Sequence, residues 1–252
     1  MHYFFVEGQA LTGSNEVALS AEDINHAYRV LRLKVGDQIV VADGLGRARI
    51  GQITLLSSQK VLCSPGEELP AAESPLKITL FQSLVKGDKM DLIVRQAVEL
   101  GVHSIVPVIT TRSVPHRDNQ QDQKRLLRWQ SIVRSASAQC RRACLARVEP
   151  VRELDSLLPR LAGFKTLVPW EEEKTVPLSK ILRQPCPSDR VVFLLIGPEG
   201  GFTSAEIDAL RKTGAETVTL GPRILRSETA AAAVVAMIQA YWGDLSGEGE
   251  QV

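Results

Sequence analysis

Two short stretches of this chain combine residue types that could do chemistry together. Gly197-Pro198-Glu199-Gly200-Gly201 follows the most apolar run in the sequence, Val191-Val192-Phe193-Leu194-Leu195-Ile196. Glycines at such a strand exit permit positive φ and let a ligand lie against the backbone. They equally suit a plain strand-to-helix turn. No Gly-Lys-Ser/Thr follows and the spacing is not GxGxxG, so ATP and NAD are disfavoured as ligands. The second stretch, Leu220-Gly221-Pro222-Arg223-Ile224-Leu225-Arg226-Ser227-Glu228-Thr229, crowds two arginines, a glutamate and two hydroxyls ahead of an alanine-rich helix. Solvated charges with Ser227 as an N-cap explain the serine better than the arginines, which favours a functional reading. A third feature is charge. Arg112, Arg117, Lys124, Arg125, Arg128, Arg134, Arg141, Arg142 and Arg147 face only Asp118 and Asp122, a local balance of +7. That surplus suits salt-dependent phosphate binding, since a merely solvated helix face interleaves more acids. Arg29, Arg32, Lys34, Arg47 and Arg49 form a second basic cluster, for which a solvated surface is the competing reading.

The elements that must position these residues follow two grammars. Up to about residue 69 the chain reads as short strands and turns around one helix. Ser20, with Asp23 three residues on, caps a helix predicted over 22–31. Residues 38–42 and 48–55 are β-prone and joined by the turn Asp43-Gly44-Leu45-Gly46, as in a small β-barrel domain. Residues 65–75, rich in proline, small residues and acid, read as a linker.

Strand and helix then alternate. Strands are predicted over 77–85, 104–109, 164–168, 191–196 and 217–220. Met90, Ile93, Val94, Ala97 and Leu100 recur at helical spacing before Gly101. Leu126, Trp129, Val133, Ala136 and Cys140 mark one stripe of a long amphipathic helix. Thr203 and Glu206 form a capping box for a helix ending at Lys212, and the last helix covers about 228–242. Such alternation implies a parallel sheet covered by helices on both faces, with ligands at the carboxyl ends of its strands.

Composition closes off other classes. The 252 residues are 44% hydrophobic and 23% charged, with 30 Lys+Arg against 29 Asp+Glu, which fits an ordinary soluble globular protein with enough apolar content for one large core or two modest ones. No apolar run approaches the roughly 20 residues needed to span a bilayer. The first residues lack a basic n-region, so a cytoplasmic location is expected. Cys63, Cys140, Cys144 and Cys186 have no zinc spacing, although Cys140 and Cys144 can share a helical face; His2, His26, His103 and His116 form no ligand pair. No metal is expected. Near-neutrality argues against indiscriminate coating of nucleic acid, not against one basic face.

The motifs Leu195-Ile196-Gly197-Pro198-Glu199-Gly200-Gly201-Phe202-Thr203 and Leu220-Gly221-Pro222-Arg223-Ile224-Leu225-Arg226-Ser227-Glu228-Thr229-Ala230 resemble the two signatures of the RsmE family. So do Lys86-Gly87-Asp88-Lys89-Met90-Asp91, leading into Glu99-Leu100-Gly101-Val102, and the stretch from His26 to Asp37. The resemblance spans nearly the whole chain. It implies an α/β fold: a SPOUT-type parallel sheet with a trefoil knot, plus a small N-terminal PUA-like β-barrel that helps bind RNA. The implied domains are 1–70 (PUA-like), 71–76 (linker), 77–243 (methyltransferase) and 244–252 (tail). The implied activity is methylation of N3 of a uridine in 16S rRNA of the small ribosomal subunit. S-adenosylmethionine is the implied cofactor and a homodimer the implied assembly, with the 228–242 helix contributing to the interface.

Carried over by position, Leu195, Ile196, Gly197, Pro198, Glu199, Gly200 and Gly201 form one wall of the cofactor pocket. Leu220, Gly221, Arg223, Ile224, Leu225, Arg226 and Thr229 form the other. The family's Glu-Gln-(Ser/Cys)-Gly-Arg pattern reads Ala138-Gln139-Cys140-Arg141-Arg142 here, keeping only its Gln, Cys and final Arg. Uridine N3 carries a proton, so methylation needs a general base or a cation that stabilises the uracil anion. Arg226 and Arg142 are candidates for the cation and Glu228 for the base. Arg29, Arg32, Lys34, Arg112, Arg125, Arg128, Arg141 and Arg142 are the expected RNA contacts. The alternatives are a SPOUT methyltransferase acting on a ribose 2′-hydroxyl or another base, and a non-catalytic RNA-binding assembly factor.

Overall fold

The computed structural model of the chain describes residues 1–6, 11, 16–70, 73–113 and 119–246. They divide into two units, Met1–Glu73 with Arg134–Leu145, and Ser74–Val133 with Ala146–Val252.

In the first unit β1 (His2–Phe5), β2 (Val17–Ala18), β3 (Gln38–Ala42), β4 (Ala48–Leu56) and β5 (Val61–Leu69) form one sheet in the order β1-β3-β4-β5-β2. The β3-β4 turn closes where expected: Asp43 Oδ1 accepts from the amides of Leu45 and Arg47 at 2.7 and 3.0 Å. Helix α1 (Ala21–Asn25) is capped by Ser20, whose Oγ accepts from the Asp23 amide at 3.2 Å. The helix expected over 22–31 does not stay α-helical, because His26–Val30 widens into a π-turn.

Strand alternation sends Phe4, Ile39 and Val41 to one side of this sheet and Phe5, Val40, Ala42 and Ala48 to the other. Both faces are therefore apolar and both need cover. Ala138, Ala143 and Leu145 pack against the second face. This explains why Arg134–Leu145 groups with the first unit, where 77–243 was expected to form one domain.

Residues 65–69 are strand rather than linker. Pro65 sits opposite Gly51 at a register shift of the β4-β5 pair, where an irregular ladder tolerates its missing N–H. Glu73 and Ser74, expected to lie in the linker, are anchored within their own units: Glu73 by Arg142, Ser74 through its hydroxyl, which donates to Gln239 Oε1 at 2.8 Å.

The second unit is built on β6 (Lys77–Ser83), β7 (Ser104–Ile109), β8 (Arg147–Val148), β9 (Arg152–Glu153), β10 (Lys165–Pro169), β11 (Val191–Ile196) and β12 (Glu216–Val218). Every pairing is parallel, in the order β12-β10-β11-β6-β7-β8 with β9 also on β7. The central β11 is buried from Val192 to Ile196, which explains its unbroken apolar sequence.

One face carries Phe81, Phe193 and Leu195, packed with Leu154, Leu157 and Leu161 of α4 (Leu154–Leu161) and Ile207 and Leu210 of α6 (Ser204–Lys212). Helices α2 (Lys89–Glu99), α5 (Leu178–Leu182) and α7 (Ser227–Trp242) are also present; α7 packs against α2, α5 and β11. The long helix α3 (Asn119–Cys140) buries Trp129, Val133 and Ala136 of the expected stripe. It ends at Cys140, while Cys144 lies beyond it in bridges to Gly44 and Leu45, so the two cysteines do not share a helical face. The short β1, β2, β8, β9, α4 and α5 had no periodicity long enough to read. No helix among the described residues is long and apolar enough to cross a membrane.

Candidate active site

A cavity of about 510 Å³ opens beyond the carboxyl ends of β10, β11 and β12, within the range of small-molecule sites. Its first wall is the glycine loop after β11. Gly201 has φ +69°, its amide bonds to Pro198 O at 3.0 Å, and a Cβ there would lie 1.9 Å from Glu171 Oε1. Only glycine fits that position without moving Glu171. The loop leads directly into α6, where Thr203 and Glu206 complete the expected capping box. Burial pushes the Glu206 carboxyl up, but hydrogen bonds from Thr111 and Thr203 outweigh it and hold the group ionised to lower pH than usual.

The second wall is the connection from β12 to α7. Gly221 (φ +102°) turns the chain, with its amide on Thr219 Oγ1 at 3.2 Å. Ile224, 86% exposed, offers an apolar side chain at the edge of the cavity. The walls are tied together by a short relay: Gln82 Nε2 donates to Ser227 Oγ at 2.9 Å, and that hydroxyl donates to Gly197 O at 2.7 Å.

Of the residues expected in the pocket, Ile196, Gly197, Pro198, Glu199, Gly200, Gly201, Leu220, Gly221, Arg223, Ile224, Leu225 and Arg226 line it. Leu195 does not, because strand alternation turns it into the Phe81 and Phe193 core. Thr229 does not either. Ser227 and Ala230, three apart on α7, present the helix face that lines the cavity, and Thr229 lies off it.

A third wall was missed: Pro169, Trp170, Glu171 and Lys174, following β10. This segment leaves a strand as the other two loops do, but it carries none of the glycines and arginines that mark them. Glu173 organises the wall. Its Oε1 accepts from the Thr175 amide and hydroxyl at 2.8 and 2.6 Å, and its Oε2 from Thr217 Oγ1 at 2.9 Å. Hydrogen bonds from Thr175, partly opposed by burial, pull its pKa down to about 2. Arg211 packs over the Trp170 ring at 5.3 Å.

Lys89 was also overlooked. Its ammonium donates to Glu199 Oε1 at 2.7 Å and lies 3.7 Å from Glu228 Oε1, and the Glu199 bond raises its pKa. Glu228 itself does not line the cavity, and its other oxygen is buried without a hydrogen-bond partner among the described residues.

The expected catalytic role of Arg142 meets a different arrangement. Arg142 is 6% exposed in the first unit and gives Nε and Nη2 to Glu73 Oε2 at 3.1 and 2.9 Å. A guanidinium so placed ties the first unit together through Glu73. The other expected RNA contacts divide. Arg112 Nη1 donates to Gly200 O at 2.9 Å, bracing the glycine loop, while Arg125 pairs with Asp122 at 3.5 Å and Arg128 pairs with Asp88 and Asp91. Arg141 is exposed, as are Arg29, Arg32 and Lys34.

The unit with the seven-stranded parallel sheet and its cavity, and the strand-rich unit, both match parts of RNA methyltransferases. A family described as an RNA methyltransferase domain matches residues 72–239, and one described as an RNA methyltransferase PUA domain matches residues 19–65. Ribosomal RNA small subunit methyltransferase E of Bacillus subtilis is 32% identical, over 91% of this chain and 93% of that protein. The enzyme of the same name from Aquifex aeolicus is 30% identical, over 96% and 100%. A crystal structure of a ribosomal RNA small subunit methyltransferase E from Neisseria gonorrhoeae bound to S-adenosyl methionine superposes with a TM-score of 0.87 at 35% identity, covering 97% of this chain and 99% of that one. The chain belongs to the ribosomal RNA small subunit methyltransferase E family.

Proposed function

We propose that this chain methylates N3 of a uridine in 16S rRNA of the small ribosomal subunit with S-adenosylmethionine. The observation that carries the reading is the cavity itself, whose lining supplies backbone, apolar surface and charge where that cofactor needs each. Ile196, Leu220, Ile224 and Leu225 offer apolar faces for an adenine ring, while the amides and carbonyls of the two glycine loops read its edge. Glu171, Lys174, Lys89, Arg223 and Arg226 surround the same space and suit the polar groups of a ribose and an amino acid. When bound, the cofactor supplies an electrophilic methyl group on a sulfonium, so no metal or covalent intermediate is required.

The chain's own residues then have one task, to make N3 nucleophilic. That Arg226 lines the cavity supports a role for it in stabilising a uracil anion through O2 or O4. Glu228, the candidate base, stands outside the cavity lining and is linked to it through Lys89, whose ammonium lies between Glu199 and Glu228. In this reading the chain acts as a cytoplasmic homodimer, with α7 contributing to the interface and the end of the second unit tied in a trefoil knot.

Comparing rRNA from cells with and without the protein tests the assignment by nucleoside mass spectrometry. Loss of one N3-methyluridine is expected. Loss of a 2′-O-methyl nucleoside, or of nothing, overturns it. Arg226→Ala is expected to cut turnover far more than it weakens cofactor binding, and near-normal methylation by that variant removes Arg226 from the mechanism.

A further inference from the structure

Residues 26–37 of the first unit are built in an unusual way. The π-turn His26–Val30 is closed by the Leu31 amide on His26 O at 2.9 Å, and the Leu33 amide returns to Ala27 O at 3.1 Å. Ala27 is fully buried, and the His26 ring meets Phe4 edge-on at 6.4 Å. Arg32 is held at φ +52°, a left-handed conformation uncommon for a non-glycine residue. The Lys34 amide bonds to Asp37 Oδ2 at 2.7 Å, and the Gly36 amide to Ile53 O at 2.8 Å. The backbone is thus fixed from beneath by several hydrogen bonds.

Above that fixed backbone, the side chains face water. Tyr28 is 42% exposed, and Val30 and Val35 are each 62% exposed. Arg29, Arg32 and Lys34 are exposed as well, and none of them has a side-chain ion pair with an acid among the described residues. Locally strained backbone and π-turns persist where surrounding structure over-determines them, and they concentrate at functional sites. Here they hold one planar aromatic and three uncommitted cations in a single short segment.

We propose that this segment is a contact for single-stranded RNA in which Tyr28 stacks on an unpaired base while Arg29, Arg32 and Lys34 neutralise the flanking phosphates. An aromatic face beside cations is the arrangement that binds unstacked bases, whereas bases in a duplex already stack on one another. The charge is complementary to a phosphodiester backbone. A membrane surface is disfavoured, because a pinned turn with one aromatic offers none of the continuous apolar face of an interfacial helix. The inference rests on the reading that the substrate is RNA and goes beyond it in naming a base-stacking residue and a strand state.

The test uses the full chain, with fluorescence anisotropy on a labelled uridine-rich single strand, the same sequence in a duplex, and vesicles containing an anionic phospholipid, across a range of KCl. The single strand is expected to bind more tightly than the duplex. Tyr28→Ala is expected to weaken single-strand binding about tenfold while leaving the salt slope and S-adenosylmethionine affinity unchanged, and Tyr28→Phe to bind as the wild type does. Arg32→Ala should reduce the slope of log K against log salt by about 0.7. Wild-type affinity in Tyr28→Ala, with the slope still falling in Arg32→Ala, overturns stacking and leaves the RNA reading standing. Preference for duplex, or binding to vesicles and not to RNA, overturns the proposal. Loss of N3-methyluridine in cells lacking the protein is scored separately, so failure of the stacking contact and failure of the substrate assignment give different results.

Discussion

Arg142 is 6% exposed and gives Nε and Nη2 to Glu73, whereas Arg32 stands at φ +52° in solvent with no ion-paired acid among the described residues. Both belong to the first unit, both are arginines in basic stretches, and sequence alone ranked the stretch of Arg142 higher. The difference lies in acids that are remote along the chain. Glu73 answers Arg142, Asp23 answers Arg134 at 2.5 Å, and Asp88 and Asp91 answer Arg128. Arg112 is tied to a backbone carbonyl. Three arginines between residues 112 and 147 are therefore answered by acids from outside that segment, while the smaller cluster at 29–34 has no ion-paired acid among the described residues. A local charge sum measures the electrostatic footprint of a segment only after tertiary pairing has been subtracted.

The largest effect should come from breaking the buried pair. Arg142→Ala leaves the Glu73 carboxylate with no guanidinium, and such losses cost roughly 3–5 kcal/mol. Urea unfolding is expected to show a lower midpoint at an unchanged slope. An Arg142→Met, Glu73→Leu double variant should recover much of the loss, because it leaves no buried charge unpaired. A cost under about 1 kcal/mol for the single variant would put Arg142 among the exposed cations.

Next in size is Glu173, the acidic counterpart of these ties, whose partners are mostly hydroxyls and amides. Its pKa is lowered from 4.5 to about 2, so the stability it contributes is fully present above its unfolded value and is lost as pH falls toward about 2. Glu173→Gln, which removes hydrogen bonds made to a charge, should cost about 1.5–3 kcal/mol near neutrality. It should also flatten the acid limb of the stability profile. An unchanged limb between pH 4.5 and about 2 would show that another carboxylate dominates it.

The contrast also marks what could be read in advance. The β11 run, the Thr203 capping box, the hairpin at residues 43–46 and the stripe of α3 were legible because each is a local pattern with its own period or turn chemistry. Two of the three cavity walls were legible because glycines and arginines are conspicuous in a strand-to-helix connection. The third wall was not, since Trp170, Glu171 and Lys174 become a site only when β10 is placed between β11 and β12. Lys89 becomes part of it only through Glu199, which is remote in sequence. The inclusion of Arg134–Leu145 in the first unit was equally hidden, although β3 is apolar on both faces and its sequence already called for a second cover.

The smallest effect is the most discriminating. Arg128→Ala and Arg32→Ala remove the same charge from exposed side chains, yet Arg128 sits against Asp88 and Asp91 and Arg32 against water. Losing an exposed ion pair changes stability by only about 0.2–1 kcal/mol, so both variants should fold normally and unfold within about 1 kcal/mol of the wild type. Their salt dependence should differ. Arg32→Ala deletes a cation free to displace counterions from RNA, lowering the slope by about 0.7, while Arg128→Ala deletes one already neutralised by the protein and should leave the slope nearly unchanged. If the Arg128 variant lost as much slope as the Arg32 variant, its ion pairs would have to open on RNA, and pairing in the free protein would no longer separate the two basic regions.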